Sequence, residues 1–126
     1  VLFPELAVTG ASQGAVEGFY FANHYAADIA TPEAQAFIQG YRARYGDLPD
    51  DVAALTYDAF GLLFQALKQV PRLDREALRE ALAATSRYEG VTGTMRFQDG
   101  SGDLIKSAVI LQVKDGRFVW FANAAP

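Results

Sequence analysis

Residues Glu17-Gly18-Phe19-Tyr20-Phe21-Ala22-Asn23-His24-Tyr25 form a short aromatic strand that leads through a polar link into a helix opened by Thr31-Pro32. A run such as Phe19-Tyr20-Phe21 is apolar on consecutive residues, so both of its faces need cover, and this predicts a strand buried inside a parallel sheet. A parallel sheet requires neighbouring strands joined by crossover helices. The rest of the chain offers few candidates for those neighbours. The fold class this predicts is α/β and short of strands.

Composition limits what such a chain can do. With 126 residues, 51% of them hydrophobic and 21% charged, it holds enough apolar surface for one core and does not divide into several domains. Net charge is -4 and no Lys/Arg-rich run occurs, so a surface that tracks phosphates is excluded and no nucleic-acid partner is expected. No apolar stretch reaches the ~20 residues of a membrane span. The start Val1-Leu2-Phe3-Pro4 lacks the basic and apolar regions of a signal peptide, so the residues read as a soluble chain. Zero cysteines exclude disulfides and thiolate metal sites and leave the compartment open.

The order of elements follows from caps and periodicity. Pro4-Glu5-Leu6-Ala7-Val8 predicts a short helix and Gly10-Ala11-Ser12-Gln13-Gly14 a loop. Thr31 as N-cap, Pro32 at the first helical position and Glu33 in the first turn open a helix whose stripe is Phe37, Ile38, Tyr41 and Tyr45, and Gly46 suits its left-handed end. Asp50 or Asp51 caps a longer helix running to about Val70. Apolar residues cover most of that helix, which predicts burial between layers. Asp74 caps a third helix, Arg75 to about Thr85, with Leu78 and Leu82 inward. From Gly90 the period changes to two: Thr92, Thr94 and Arg96 alternate with Met95 and Phe97. A hairpin over Lys106 to Phe121 then turns at Asp115-Gly116.

Taken in order, Glu17 to Phe21, Tyr25 before Thr31-Pro32-Glu33, Tyr41-Arg42-Ala43-Arg44-Tyr45-Gly46, Tyr57-Asp58-Ala59, Glu76 to Leu82, Glu89-Gly90-Val91-Thr92-Gly93 and Ser107 to Val113 resemble the C-terminal third of leucine/isoleucine/valine-binding proteins. The resemblance spans nearly the whole chain. It implies a partial type I periplasmic-binding-protein fold, that is, part of two Rossmann-like lobes, with three helices and a C-terminal β-hairpin. On it, residues 1–25 and 105–126 are pieces of the C-terminal lobe and residues 26–104 a helical piece, with one short strand, of the N-terminal lobe. Crossings between lobes then fall near Tyr25-Asp28 and Gly102-Lys106.

The resemblance also implies a function. Such receptors are periplasmic or lipid-anchored and deliver amino acids to an ABC permease, so the chain is expected to be a binding module and not an enzyme. Residues holding the ligand carboxylate and ammonium in relatives lie outside these 126, and an unpaired charge in a dry cleft costs several kcal/mol. The chain alone is therefore expected to bind amino acids poorly or not at all. Ala53, Ala54 and Tyr57 match the segment that contacts the ligand side chain, with small Ala54 leaving room for a bulkier ligand. Asn23 and Tyr25 match hinge or cleft positions. The plainer readings stay open: Ala53 and Ala54 as helix formers, Tyr57 as a core aromatic with its hydroxyl satisfied, Asn23 and Tyr25 as turn residues.

Two rival classes remain. Apolar residues such as Leu62, Leu63 and Phe64, and the strands around Phe19 and Ile110, need cover, which fits a self-associating unit such as a segment-exchanged dimer, or a complementing N-terminal portion. An amidase-type regulator or sensory module of the same fold is the other. Gly10-Ala11-Ser12-Gln13-Gly14 satisfies the nucleophile-elbow string, but a strand follows it and Glu17 is the only acid between Ser12 and the sole histidine, His24, so no catalytic residue is assigned. Asp99, Ser101 and Asp103 have alternating oxygen spacing without a terminal bidentate Glu, which favours a plain turn over calcium. No metal or cofactor is expected.

Overall fold

The computed structural model describes residues 14–125; the expected helix at Pro4 to Val8 and the loop from Gly10 through Ser12 lie outside them. The elements are β1 (Tyr20–Asn23), α1 (Pro32–Tyr45), α2 (Asp51–Leu67), α3 (Arg75–Ala83), β2 (Tyr88–Gly90), β3 (Gly93–Phe97), β4 (Leu104–Lys106), β5 (Ala108–Lys114) and β6 (Arg117–Ala124). The strands make two three-stranded antiparallel sheets, ordered β1-β5-β6 and β2-β3-β4.

Each helix starts where a side-chain oxygen can take an orphan amide. Thr31 accepts from the Ala34 N–H at 3.4 Å, Asp50 from Ala53 at 2.7 Å and Asp74 from Ala77 at 2.9 Å. Gly46, at φ 78°, ends α1 in the left-handed conformation and donates to the Arg42 carbonyl at 2.9 Å. Two helices stop earlier than their patterns predict. α2 ends at Leu67 and α3 at Ala83, where the Thr85 hydroxyl folds back to donate to the Ala81 carbonyl at 3.2 Å and closes the last turn.

Three expectations are corrected. β1 is not a central strand of a parallel sheet: it runs antiparallel to β5, from Tyr20 opposite Gln112 to Asn23 opposite Val109, and it is an edge strand among the described residues. Phe19 and Tyr20 are accordingly more than half exposed. The consecutive aromatics reflect pairing of rings, since Tyr20 meets Phe121 edge-on at 4.8 Å and Phe21 meets Phe118 at 5.6 Å.

The second correction concerns 26–104, where one short strand was expected. β2, β3 and β4 instead form a complete small sheet, and Lys106 belongs to β4, leaving Ser107 as the break before the hairpin. The hairpin itself turns at Asp115 (φ 52°) and Gly116 (φ 69°), the positive angles that a tight primed turn requires, and runs on past Phe121 to Ala124. The Glu17 carboxylate clamps that turn, accepting from the Asp115 N–H at 2.7 Å and the Gly116 N–H at 3.2 Å.

The third correction is α2, which is not covered all round. Ala54, Asp58, Leu62 and Ala66, one ladder at four-residue spacing, are buried. Val52, Tyr57, Phe60 and Phe64 remain more than half exposed, because α3 and β2 pack on only part of its circumference. Two small clusters make the core. Tyr25, Ala34, Ile38, Ala54 and Val91 form one, and Ala26, Val109 and Leu111 the other. Ile29 packs against both, joining the helical layer to the sheet of β1, β5 and β6.

Candidate functional site

Between α1 and α2 a groove of about 960 Å³ opens, lined by Phe37, Tyr41 and Tyr45 from α1, by Ala53, Tyr57, Phe60 and Phe64 from α2, and by Tyr88 and Val91 beneath. Helical spacing explains why these rings align: 37, 41 and 45 lie one turn apart on one helix, and 53, 57, 60 and 64 on the other. Phe37 stands 4.7 Å from the Tyr57 ring and 5.9 Å from Tyr41, and Tyr41 is 4.6 Å from Tyr45, over which the Arg44 guanidinium lies at 5.7 Å. Glu33, Arg44 and Glu89 supply charge at the lining of an otherwise aromatic surface.

The residues singled out by sequence fall in two places. Ala53 and Tyr57 share the groove, and Tyr57 is 53% exposed, so it is not a core aromatic. Ala54 has no exposed surface and packs with Tyr25 in the core beneath. Tyr25 is 4% exposed and its hydroxyl has no hydrogen-bond partner among the described residues. Burial, and secondarily the Asp28 charge, push that phenol up to about 12. Asn23 closes β1 opposite Val109, its Oδ1 accepting from the His24 N–H at 2.7 Å, and it takes no part in the groove lining.

Beneath the groove lies a polar connection that sequence reasoning missed. Asp58 is 1% exposed, and its carboxylate accepts from the Val91 N–H at 2.8 Å, the Thr92 N–H at 2.9 Å and the Thr92 hydroxyl at 2.6 Å. Three donors satisfy the charge that burial would otherwise penalise. Gly90 permits the approach: a Cβ there would stand 2.5 Å from Asp58 Oδ2. On the far side of Thr92, the half-buried Lys106 ammonium donates to the carbonyls of Thr92 at 2.6 Å, His24 at 3.1 Å and Ser107 at 3.1 Å. Burial lowers its pKa, and the Asp58 charge partly restores it. The signal that would have exposed Asp58 is its place in the ladder Ala54-Asp58-Leu62-Ala66, where an acid interrupts small and apolar residues. Lys106 carried no such signal, because two of its three partners, His24 and Thr92, come from other parts of the chain.

The Asp99 to Asp103 segment is a turn in which the Ser101 hydroxyl accepts from the Asp103 N–H at 3.0 Å. No helix among the described residues is long and apolar enough to cross a membrane.

Comparison with known proteins places this geometry. The family model described as "Periplasmic binding protein" matches residues 4–117. Leu/Ile/Val-binding protein homolog 7 of Brucella abortus (strain 2308) is 28% identical over 93 residues, 71% of this chain and 23% of its own length. The crystal structure of the leucine binding protein LivK from Thermotoga maritima MSB8 superposes on 98% of the chain with a TM-score of 0.81 at 36% identity, over 35% of its own length. A solute binding protein of an ABC transporter from R. palustris, in complex with benzoate, covers 94% of the chain at 28% identity and a TM-score of 0.76, over 33% of its own length. The chain thus spans about a third or less of these relatives. With three helices and two small sheets among the described residues, in a partial version of that fold, the chain belongs to the periplasmic binding protein family, whose members are solute-binding proteins and not enzymes.

Proposed function

We propose that these residues serve as a C-terminal portion of a periplasmic receptor that passes a small organic acid to an ABC permease. The observation that carries this reading is the match along 98% of the chain to a leucine-binding protein of which it spans only 35%. In such a receptor residues 1–25 and 105–126 would belong to the C-terminal lobe and 26–104 to the other, with Asn23 and Tyr25 at the hinge. Tyr57 and Ala53 would meet the ligand side chain. Ala54, covered in full here, would act by setting how closely α2 approaches Tyr25. The ligand class is a branched-chain amino acid such as leucine, with an aromatic carboxylate as the second candidate, because one relative is named for leucine and another holds benzoate. A lipid anchor or a free periplasmic form would both suit this role.

Calorimetric titration of the 126-residue chain with leucine, isoleucine, valine and benzoate is expected to give no saturable binding below about 1 mM, a threshold of roughly 4 kcal/mol. A chimera joining the upstream two thirds of the T. maritima protein to these residues is expected to bind at least one of the four. Tight stoichiometric binding by the chain alone, or a folded chimera that binds none, would refute the proposal.

Exposed aromatic surface favours a second reading. Phe19, Tyr20 and Phe121 on one sheet, and Tyr57, Phe60 and Phe64 on α2, are each more than half exposed, and such surfaces drive association. Light scattering tests it, a monomer across the micromolar range being the result that rejects a dimer.

A further inference from the structure

We infer that Asp58, Thr92 and Lys106 form a brace that makes α2 and both chain passages between the two sheets move as one unit; the inference rests on the receptor reading above. The chain leaves the sheet of β1, β5 and β6 after β1, at His24, and returns to it between β4 and β5, at Ser107. Lys106, which adjoins the second passage, lies 82 residues from His24 in the first. Lys106 Nζ donates to a carbonyl in each, His24 at 3.1 Å and Ser107 at 3.1 Å. An ammonium has three donors, and the third goes to Thr92 at 2.6 Å, so all three are satisfied by backbone oxygen, one from the adjoining Ser107 and two from other segments.

Thr92 is in turn held from its other side. Its N–H and hydroxyl both donate to Asp58 Oδ2, at 2.9 and 2.6 Å, so one residue is fixed at amide, side chain and carbonyl. Asp58 follows Tyr57 and lies one turn beyond Ala54 on α2. The connection therefore runs without a gap from the groove-facing helix, through Asp58 and Thr92, to Lys106 and both passages. A rotation of one sheet about Ser107 must either carry His24 and Thr92 with it or break charged hydrogen bonds in a half-buried site, where such bonds are strongest. Lys106 and Asp58 are positioning residues on this account, since neither lines the groove.

Amide hydrogen exchange on the 126-residue chain tests the brace without any ligand. Replacing Lys106→Met should raise exchange about 10-fold or more at both passages together, at the Ile29 amide, which donates to the Ala26 carbonyl, and at the Asn23–Val109 pair. The β5–β6 turn and the middle of α1 should stay within about twofold. Lys106→Gln, neutral and shorter but still a donor, is the second variant should the methionine variant fail to fold, and the same joint rise is expected. Faster exchange at only one passage, a uniform rise along the chain, or no change in a folded variant would overturn the brace. None of these outcomes bears on ligand binding, and failure of the titrations above would leave the exchange result standing.

Discussion

Replacing Gly90 and Asp58, singly and together, tests whether the buried carboxylate holds β2 against α2. Asp58→Ala removes three accepted hydrogen bonds and leaves the N–H groups of Val91 and Thr92, residues 5% and 2% exposed, without partners. Each orphaned buried donor costs about 1–3 kcal/mol, so the loss should be near 4 kcal/mol, a large part of the roughly 5–15 kcal/mol that holds a domain folded. Gly90→Ala should cost about 3 kcal/mol by a different route. Its Cβ would sit 2.5, 2.6 and 2.7 Å from Oδ2, Cγ and Oδ1 of Asp58, so the carboxylate must leave its donors or β2 must shift. No other atom lies among the three nearest to that Cβ, which predicts strong coupling: in the Asp58→Ala background, Gly90→Ala should cost under about 1 kcal/mol. Urea unfolding followed by Trp120 fluorescence and far-ultraviolet circular dichroism reads all four corners, with an unchanged slope as the two-state check. Additive losses within about 0.5 kcal/mol, or an Asp58→Ala loss below about 1 kcal/mol, would refute the clasp.

Other perturbations follow from single contacts. Tyr25→Phe deletes a buried hydroxyl that has no partner among the described residues and should raise stability by about 1 kcal/mol in the same urea assay. Between pH 10 and about 12 the unfolded chain sheds the Tyr25 proton while the folded chain keeps it, so stability present below pH 10 should fall as pH rises. Tyr88, raised first by burial, adds to that fall, and Lys106, lowered by burial, opposes it, so Tyr25→Phe should flatten the decline in urea midpoint without abolishing it. Gly61→Ala puts a methyl into the Tyr88 hydroxyl and 2.8 Å from its ring Cζ, so adding Tyr88→Phe should relieve the loss only in part, as thermal melts of the pair would show. Gly46→Ala forces a Cβ into the left-handed conformation at φ 78° and should lower stability by about 1 kcal/mol, with an unchanged midpoint arguing against the cap.

Local chemistry was legible in the sequence wherever one turn or one cap decided the outcome. Thr31, Asp50, Asp74 and Gly46 each mark a helix boundary by satisfying or freeing a backbone group nearby, and Asp115-Gly116 marks the hairpin for the same reason. What failed was inference about neighbours. Phe19-Tyr20-Phe21 is compatible with a central parallel strand and with an antiparallel edge strand whose rings pair across to β6, and only the partner strand distinguishes them. The burial of Asp58 was readable in principle from its four-residue ladder; its donors, 33 and 34 positions away, were not. Lys106 belongs to the same class, as a cation whose role is set by carbonyls of residues 24, 92 and 107. The groove was half visible, since the stripe on α1 was evident, whereas α2 read as apolar over most of its surface and nothing showed that Phe37 stands against Tyr57.

The distribution of exposed aromatics separates a one-patch dimer from a partner with two faces. A symmetric dimer either covers one patch with the same patch of its copy or, as in segment exchange, pairs two patches reciprocally. Here the rings fall on two different units: Phe19, Tyr20 and Phe121 on the sheet of β1, β5 and β6, and Tyr57, Phe60 and Phe64 on α2. A dimer through one patch alone leaves the other in water, at a continuing cost of about 25 cal/mol per Å² of apolar surface. A partner with two separate faces, one for each unit, would cover both, and the relative of which this chain spans 35% has further chain that could supply them. Polar substitutions separate the two cases. If the chain dimerises through one patch, Phe121→Ser or Phe60→Ser should abolish association and the other should leave it intact; if both patches await one two-lobed partner, each should weaken complementation by an added N-terminal portion.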